Sequence, residues 1–324
     1  MEYALTQKEQ ELATLEEIKK ALINDKKFIV SYDLLADFTK SLKKLTKASR
    51  ESYYKGAKKF IDYCIEKHID LVEEDDITNY VNYVCNNYKP ATINLYLTSL
   101  RKFYKFLNKK GIKNLASDVQ GVKMIRNFKK DPLTKNQAKE LLLKVDLTTE
   151  TGKRDFAILN LLLRTGLRTI EIERAKVEDL RTIGTKQLLQ VQRKGHREKD
   201  DYVKLTHKTY EAIQSYLGAR KNVKPSDPLF ISYSDRTKGQ NLKTKSIREI
   251  VKRYLRDAGI NTPRITTHSL RHSAITFALL GGATLQEAQL LAGHENINTT
   301  LIYAHNIDKL NNDYEQKVED YLEN

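Results

Sequence analysis

Along most of this chain apolar residues return every three or four positions, the spacing of helices that bury one face. In "SRESYYKGAKKFIDYCIEKH" the stripe is Tyr53, Ala57, Phe60, Ile61 and Cys64; in "KPATINLYLTSLRKFYKFLNKKG" it is Ile93, Leu97, Leu100, Tyr104 and Leu107. The second stripe leaves Arg101, Lys102 and Lys105 outward, and Gly111 is placed to end the helix. Before both, Leu5, Leu12, Leu15, Ile18, Leu22 and Ile23 recur among Glu and Lys as a further amphipathic helix. The periodicity fades in the basic "QGVKMIRNFKKDP" and resumes at "LTKNQAKELLLKV", where Thr134 and Gln137 have the spacing of a capping box.

That interruption divides the chain. The expected organisation is an N-terminal helical extension over residues 1–30, a helical domain over 31–120, a linker over 121–132 and a second domain over 133–324. In the second domain "RDFAILNLLLRTG" is a buried helix closed by Gly166, and "RTIEIERAKVEDL" begins another. By contrast "QLLQVQRKGHREKDDYVKL" alternates as two short strands about a glycine turn. The fold class is therefore mainly α with a small antiparallel β-sheet.

Composition narrows the function. Lys and Arg number 57 against 42 Asp and Glu, an excess of 15 positive charges that suits a polyanionic partner. The longest apolar run, Phe156 to Leu163, is too short to span a bilayer, and the opening "MEYALTQKEQ" does not read as a signal peptide. Cys64 and Cys85 lack metal or disulfide spacing and read as buried thiols of a reducing cytoplasm.

Four stretches of the second domain concentrate groups that bind anions or move protons. Arg168 follows a glycine break in "TGLRTIE", Lys194 stands at the strand turn in "QRKGHREK", His268 precedes Arg271 by three in "THSLRH", and His294 precedes Tyr303 by nine in "GHENINTTLIY". Taken singly, each is ordinary: a surface pair, a solvated turn, a core aromatic. Together they suit metal-free phosphoryl transfer to a covalent nucleophile. Two guanidiniums can clamp a phosphodiester and stabilise its pentacoordinate transition state, a histidine can accept the tyrosine proton, and a lysine can protonate the departing sugar oxygen. A zinc site through His268, His272 and His294 is disfavoured, because Arg271 repels a cation and acidic ligands are missing.

In order and context, "TGLRTIEI", the turn lysine, "HSLRH" and "LAGHENINTTLIYAH" resemble the tyrosine recombinases, the phage-integrase family that includes Xer-type resolvases. The resemblance runs from about residue 31 to 305, and "TINLYLTSLRKFYKFL" resembles that family's last DNA-facing helix. It implies a helical core-binding domain followed by a catalytic domain. It also implies that Arg168 and Arg271 clamp phosphate, Glu171 supports the site, Lys194 is the strand-turn lysine, His268 helps move the nucleophile's proton, His294 bonds the scissile phosphate, and Tyr303 attacks. DNA contacts are expected from Lys47, Arg50, Lys55, Thr92, Asn94, Arg101, Lys102 and Lys105.

The implied activity is site-specific recombination of double-stranded DNA, in integration, excision or resolution. It passes through a 3′-phosphotyrosyl bond and a Holliday junction and needs neither ATP nor metal. The implied partners are a specific recombination site and three further copies of the chain, a homo-tetramer on two sites that is monomeric or weakly associated when free, with accessory proteins and with action on the nucleoid in the cytoplasm. Two rivals share the chemistry or the fold: a type IB topoisomerase and a non-catalytic DNA-binding regulator. The tail from Ile307 through Leu310, Tyr314, Val318 and Leu322 reads as one amphipathic helix, which the resemblance suggests packs on a neighbouring protomer.

Overall fold

The computed structural model describes residues 28–124, 130–260 and 262–323. The amphipathic stretch from Leu5 to Ile23 and most of the basic "MIRNFKK" lie outside them. Two units separate between residues 125 and 126.

In the first unit a two-residue strand β1 (Phe28–Ile29) pairs antiparallel with β2 (Leu71–Val72), and four helices surround them: α1 (Asp33–Ser41), α2 (Lys47–Glu66), α3 (Glu74–Asn87) and α4 (Pro90–Asn108). Each helix start has a local cause. Thr46 caps α2 by accepting from the Ser49 amide at 3.3 Å, Asp76 accepts from the Glu73 amide at 2.9 Å before α3, and Pro90 opens α4 where no N–H bond is needed. α2 and α4 approach closely at Gly56, where a Cβ would stand 2.2 Å from Ser99 Oγ. Both sequence stripes face inward, with Phe60, Leu97, Leu100 and Tyr104 fully buried and Phe28 edge-on to Phe103 at 5.6 Å between centroids. Tyr53 is the exception in its stripe, only half-buried. Cys64 is buried, which pushes its thiol up to about 12, and Cys85 is half-buried.

The second unit is built round α6 (Glu150–Thr165), whose Ala157 to Leu163 are all buried, so this helix is covered on every side. α5 (Lys135–Leu143), capped by the reciprocal Thr134 and Gln137 bonds, packs on it, as do α8 (His207–Ala219) and α9 (Thr244–Asp257). Asp155, buried within α6, joins Arg154 at 2.7 Å to Arg253 of α9 at 2.7 Å. Gly166 ends α6 with φ +63°, and α7 (Thr169–Arg174) follows at once.

Beyond α7 the structure differs from the periodicity reading. The helix expected through Leu180 stops at Arg174, because the chain turns to bridge Lys176 with Pro228 and then forms a third strand, β3 (Leu180–Ile183). The sheet is β3, β4 (Lys186–Val191) and β5 (Asp201–Leu205), antiparallel throughout, with Leu180 opposite Leu189 and Leu189 opposite Val203. α10 (Thr267–Leu280), α11 (Leu285–Ala292), α12 (Asn298–Asn311) and α13 (Tyr314–Glu323) complete it. The tail, which the sequence stripe presents as one helix, is two helices broken at residues 312–313, the first of them bearing Tyr303, and α13 buries none of its side chains. Among the described residues no helix is long and apolar enough to cross a membrane.

Candidate active site

Residues 168 to 303 meet in one cleft of about 700 Å³ lined by Arg168, Arg193, Lys194, His268, Arg271, His272, His294 and Tyr303, among others. The six candidates for catalysis are thus brought together from five places: the start of α7, the β4–β5 connection, α10, the turn after α11, and α12.

Arg168 sits at the N-cap of α7, where its amide donates to Glu171 Oε2 at 2.8 Å and its guanidinium to Oε1 at 3.0 Å. Glu171 is fully buried, and its carboxylate fixes both the helix start and the arginine. Arg271 is 2% exposed. It donates to the Gly166 carbonyl and, at 2.7 Å, to the Ala292 carbonyl, so the ends of α6 and α11 hold it in place. Burial, with Arg168 adding repulsion, lowers its pKa to about 10, so the guanidinium stays charged at neutral pH.

Two histidine rings lie beside the phenol, and a third meets one of them. His268 and His272 meet edge to face at 4.7 Å, His272 lies 5.2 Å from the Tyr303 ring, and His294 stacks near it at 6.3 Å. The His294 Nδ1 is 2.9 Å from the buried Thr300 hydroxyl. The turn bearing His294 is closed at its carbonyl by the Gln289 side-chain amide at 2.8 Å. Burial first, then the Arg271 and Arg168 guanidiniums, push the His294 pKa down to about 4. Burial, then His268 and Arg271, does the same to His272, also to about 4. His268 reaches solvent at the cleft rim, yet its surroundings crowd it enough that burial, then Arg271 and Arg168, hold it below its ordinary value. All three rings are therefore neutral at pH 7.

Tyr303 is 4% exposed and packs with Ile275, Ala288 and Ala292, so the ring does fill a helix face as its local sequence suggests. The residue nonetheless lines the cleft. Burial pushes its pKa up to about 12, with Arg271 and Arg168 pulling the other way. Lys194 is exposed in the connection after β4. Among the described residues no cluster of three metal-ligating side chains occurs.

Sequence reasoning passed over Arg193, a 5% exposed guanidinium beside Lys194, and Asp201, its partner at 2.6 Å. An Arg-Lys-Gly run reads as solvated charge, and only the carboxylate pair at Asp200 and Asp201 hinted otherwise.

The expected DNA contacts of the first unit are placed less uniformly. Lys47, Lys55 and Lys105 are exposed, and Arg50 and Thr92 are half-buried. Two residues do something other than point outward. Asn94 exchanges two 2.9 Å bonds with the Val122 backbone, and Arg101 donates to the Val119 carbonyl at 3.1 Å and to Thr98 at 3.0 Å. Both are drawn in because residues 119–122 fold back along α4. Lys102 lies over the Tyr53 ring at 4.9 Å.

The phage integrase family matches residues 132–309, and the N-terminal SAM-like domain of phage integrases matches residues 34–114. The tyrosine recombinase XerD of Listeria innocua serovar 6a is 30% identical over 290 residues, 84% of this chain and 94% of that protein. The tyrosine recombinase XerC of Thermodesulfovibrio yellowstonii is 33% identical over 224 residues, 66% of this chain and 71% of that protein. Among solved structures, the XerH site-specific recombinase in its post-cleavage complex shares the fold with a TM-score of 0.67 at 19% identity, over 88% of this chain and 85% of that one. Fold and site together define a tyrosine recombinase, an enzyme of site-specific recombination. The chain belongs to the phage integrase family. Its relatives are recombinases, which does not favour the topoisomerase or regulator readings.

Proposed function

We propose that this chain cuts and rejoins duplex DNA at a specific recombination site, with Tyr303 as nucleophile. In this reading residues 31–120 form the core-binding domain, 121–132 the linker and 133–324 the catalytic domain, with 1–30 as an extension. The observation that carries it is that Arg168, Lys194, His268, Arg271, His294 and Tyr303 line one cleft.

Each role follows from the local chemistry. Arg168 and Arg271, held by Glu171 and by two backbone carbonyls, present their remaining N–H groups to the non-bridging oxygens and offset the charge that builds at phosphorus. Neutral His294 has Nδ1 2.9 Å from the Thr300 hydroxyl, and in the tautomer in which that hydroxyl donates, the Nε2 proton is free for a phosphate oxygen. Neutral His268 accepts the Tyr303 proton as Oη attacks phosphorus. The bond from phosphorus to the 5′-oxygen breaks, Lys194 Nζ gives that oxygen a proton, and a 3′-phosphotyrosyl bond and a 5′-hydroxyl remain. The hydroxyl then attacks the partner duplex, so the phosphoester bond energy is retained and strand exchange passes through a Holliday junction without ATP or metal. The phenol, with its pKa raised, is neutral until substrate brings the clamped phosphate beside it.

The working assembly is a tetramer on two sites. Tyr314, Val318, Tyr321 and Leu322 of α13 are all at least half exposed, an apolar face suited to a neighbouring protomer. Ending the chain at residue 311 should spare site binding by the monomer and impair synapsis, read by native gel shift. The place of action is the nucleoid, within the cytoplasm.

The direct test is a nicked suicide duplex carrying the cognate site. Wild type should yield a protein-DNA adduct stable on a denaturing gel, and Tyr303→Phe should bind the duplex without forming one. A wild type that binds its site and forms no adduct would overturn the enzymatic reading.

A further inference from the structure

We infer that Arg193 is a positioning residue that sets Lys194 for proton donation by tying the β4–β5 connection to the Arg168 and His294 ends of the site. This rests on the reading of Lys194 as the general acid. Nothing in the motif pattern marks Arg193, and its neighbours Lys194, Gly195, His196, Arg197 and Glu198 are all exposed. Arg193 alone in that run turns inward, to 5% exposure.

A guanidinium taken out of water is unfavourable unless charged or polar partners replace its hydration. Here Nε donates to Asp201 Oδ2 at 2.6 Å, at the start of β5, and Nη1 faces Glu171 Oε2 at 3.5 Å. Glu171 is the carboxylate that holds Arg168. On a third side the plane lies against Gly293, where a Cβ would stand 2.6 Å from the Arg193 Cζ, so a residue with φ +59° and no side chain is what admits it. Gly293 leads directly into His294. One planar group thus touches three of the segments that supply the site.

The rest of the connection is braced about this anchor. The Gln192 side-chain amide Nε2 donates to the carbonyls of His196 and Arg197 at 2.9 Å each, and the His196 backbone amide donates to the Arg193 carbonyl at 3.1 Å. With the side chain of residue 193 held inward and the turn closed behind it, the next residue is delivered to the cleft. Lysine is a long, flexible donor and needs such an anchor to meet a leaving oxygen. A lysine at position 193 would offer a point charge on a flexible stem in place of a rigid fork, with no planar face to lie against Gly293.

The test separates positioning of the acid from clamping of the phosphate. Suicide duplexes are made with oxygen or with bridging sulfur at the scissile 5′ position. A departing thiolate, whose conjugate thiol has a pKa of about 8.5, needs no proton, whereas an alkoxide does. Arg193→Ala should bind the site within about threefold of wild type and cleave the oxygen substrate slower by on the order of 10²-fold, the effect of a displaced catalytic group. Arg193→Lys should fall between. On the sulfur substrate Arg193→Ala and Lys194→Ala should both return to within about tenfold of wild type, and Arg168→Ala should not. Asp201→Asn, which loosens the same anchor from the β5 side, should show a smaller loss recovered in the same way. If sulfur rescues Lys194→Ala and leaves Arg193→Ala and Asp201→Asn slow, the inference is overturned while the general-acid reading stands. If Lys194→Ala is not rescued, both fall.

Discussion

In the cleft Arg271, Arg193 and His272 are each less than a tenth exposed, whereas Lys105, Lys47 and Lys55 of the first unit stand open to water. Basic side chains in the two units are under opposite constraints. Burying a guanidinium is unfavourable unless every face is answered, and the cleft answers it with Glu171, Asp201 and the carbonyls of Gly166 and Ala292. The helix α4 makes no such investment in Lys105. Chemistry at a fixed phosphorus requires atoms held to a fraction of an ångström, while attraction to a phosphate backbone works through solvated charge at a distance.

The sharpest way to break that contrast is at the nucleophile. Tyr303→Phe removes one oxygen and leaves the ring packed on Ile275 and Ala288, so adduct formation should fall by on the order of 10⁴-fold or more with site binding unchanged. Arg271→Lys keeps a charge but cannot reach both the Gly166 and Ala292 carbonyls while facing phosphate. Cleavage should drop roughly 10²–10³-fold, measured in a single-turnover assay.

Acid should separate the two units next. For a histidine with a pKa depressed in the folded state, the unfolded chain binds the proton first as pH falls. The stability tied to neutral His294 and His272 is complete above the ordinary histidine pKa of about 6.5 and is lost as pH falls towards about 4. Thermal denaturation between pH 7 and 4.5 should therefore weaken the second unit, and a His272→Asn, His294→Gln variant should show a flatter decline.

Smallest, and most telling about the first unit, is a pair of alanine substitutions on α4. Lys105→Ala should reduce the slope of log affinity against log salt by about 1 and leave cleavage of prebound site unchanged. Arg101→Ala should instead loosen residues 119–122, seen as faster amide exchange at Val122, because its guanidinium is committed to the Val119 carbonyl. Equal salt slopes for the two variants would remove the distinction.

What could be read from the sequence divides along the same line. Helices with a stripe facing one core were legible, as were the Thr134 and Gln137 cap and the order of Arg168, Lys194, His268, Arg271, His294 and Tyr303. Those signals are periodic or sit in short fixed contexts. The four-residue strand β3 was not legible, since its side chains are mostly exposed and no alternation survives. The break at residues 312–313 was hidden because the stripe continues across it. The burial of Arg193 and the inward bonds of Asn94 and Arg101 were not legible for one reason: a polar side chain announces nothing in sequence about whether water or a distant backbone carbonyl will answer it.

One particular phenol, that of Tyr303, is expected to become the DNA link. Trypsin should release residues 272–309 as a single peptide whose one tyrosine is Tyr303. After trapping on a suicide duplex and nuclease trimming, mass spectrometry should find a nucleotide remnant on that peptide and on Tyr303 within it. A remnant on any other peptide, from an enzyme that has formed the adduct, would contradict the account.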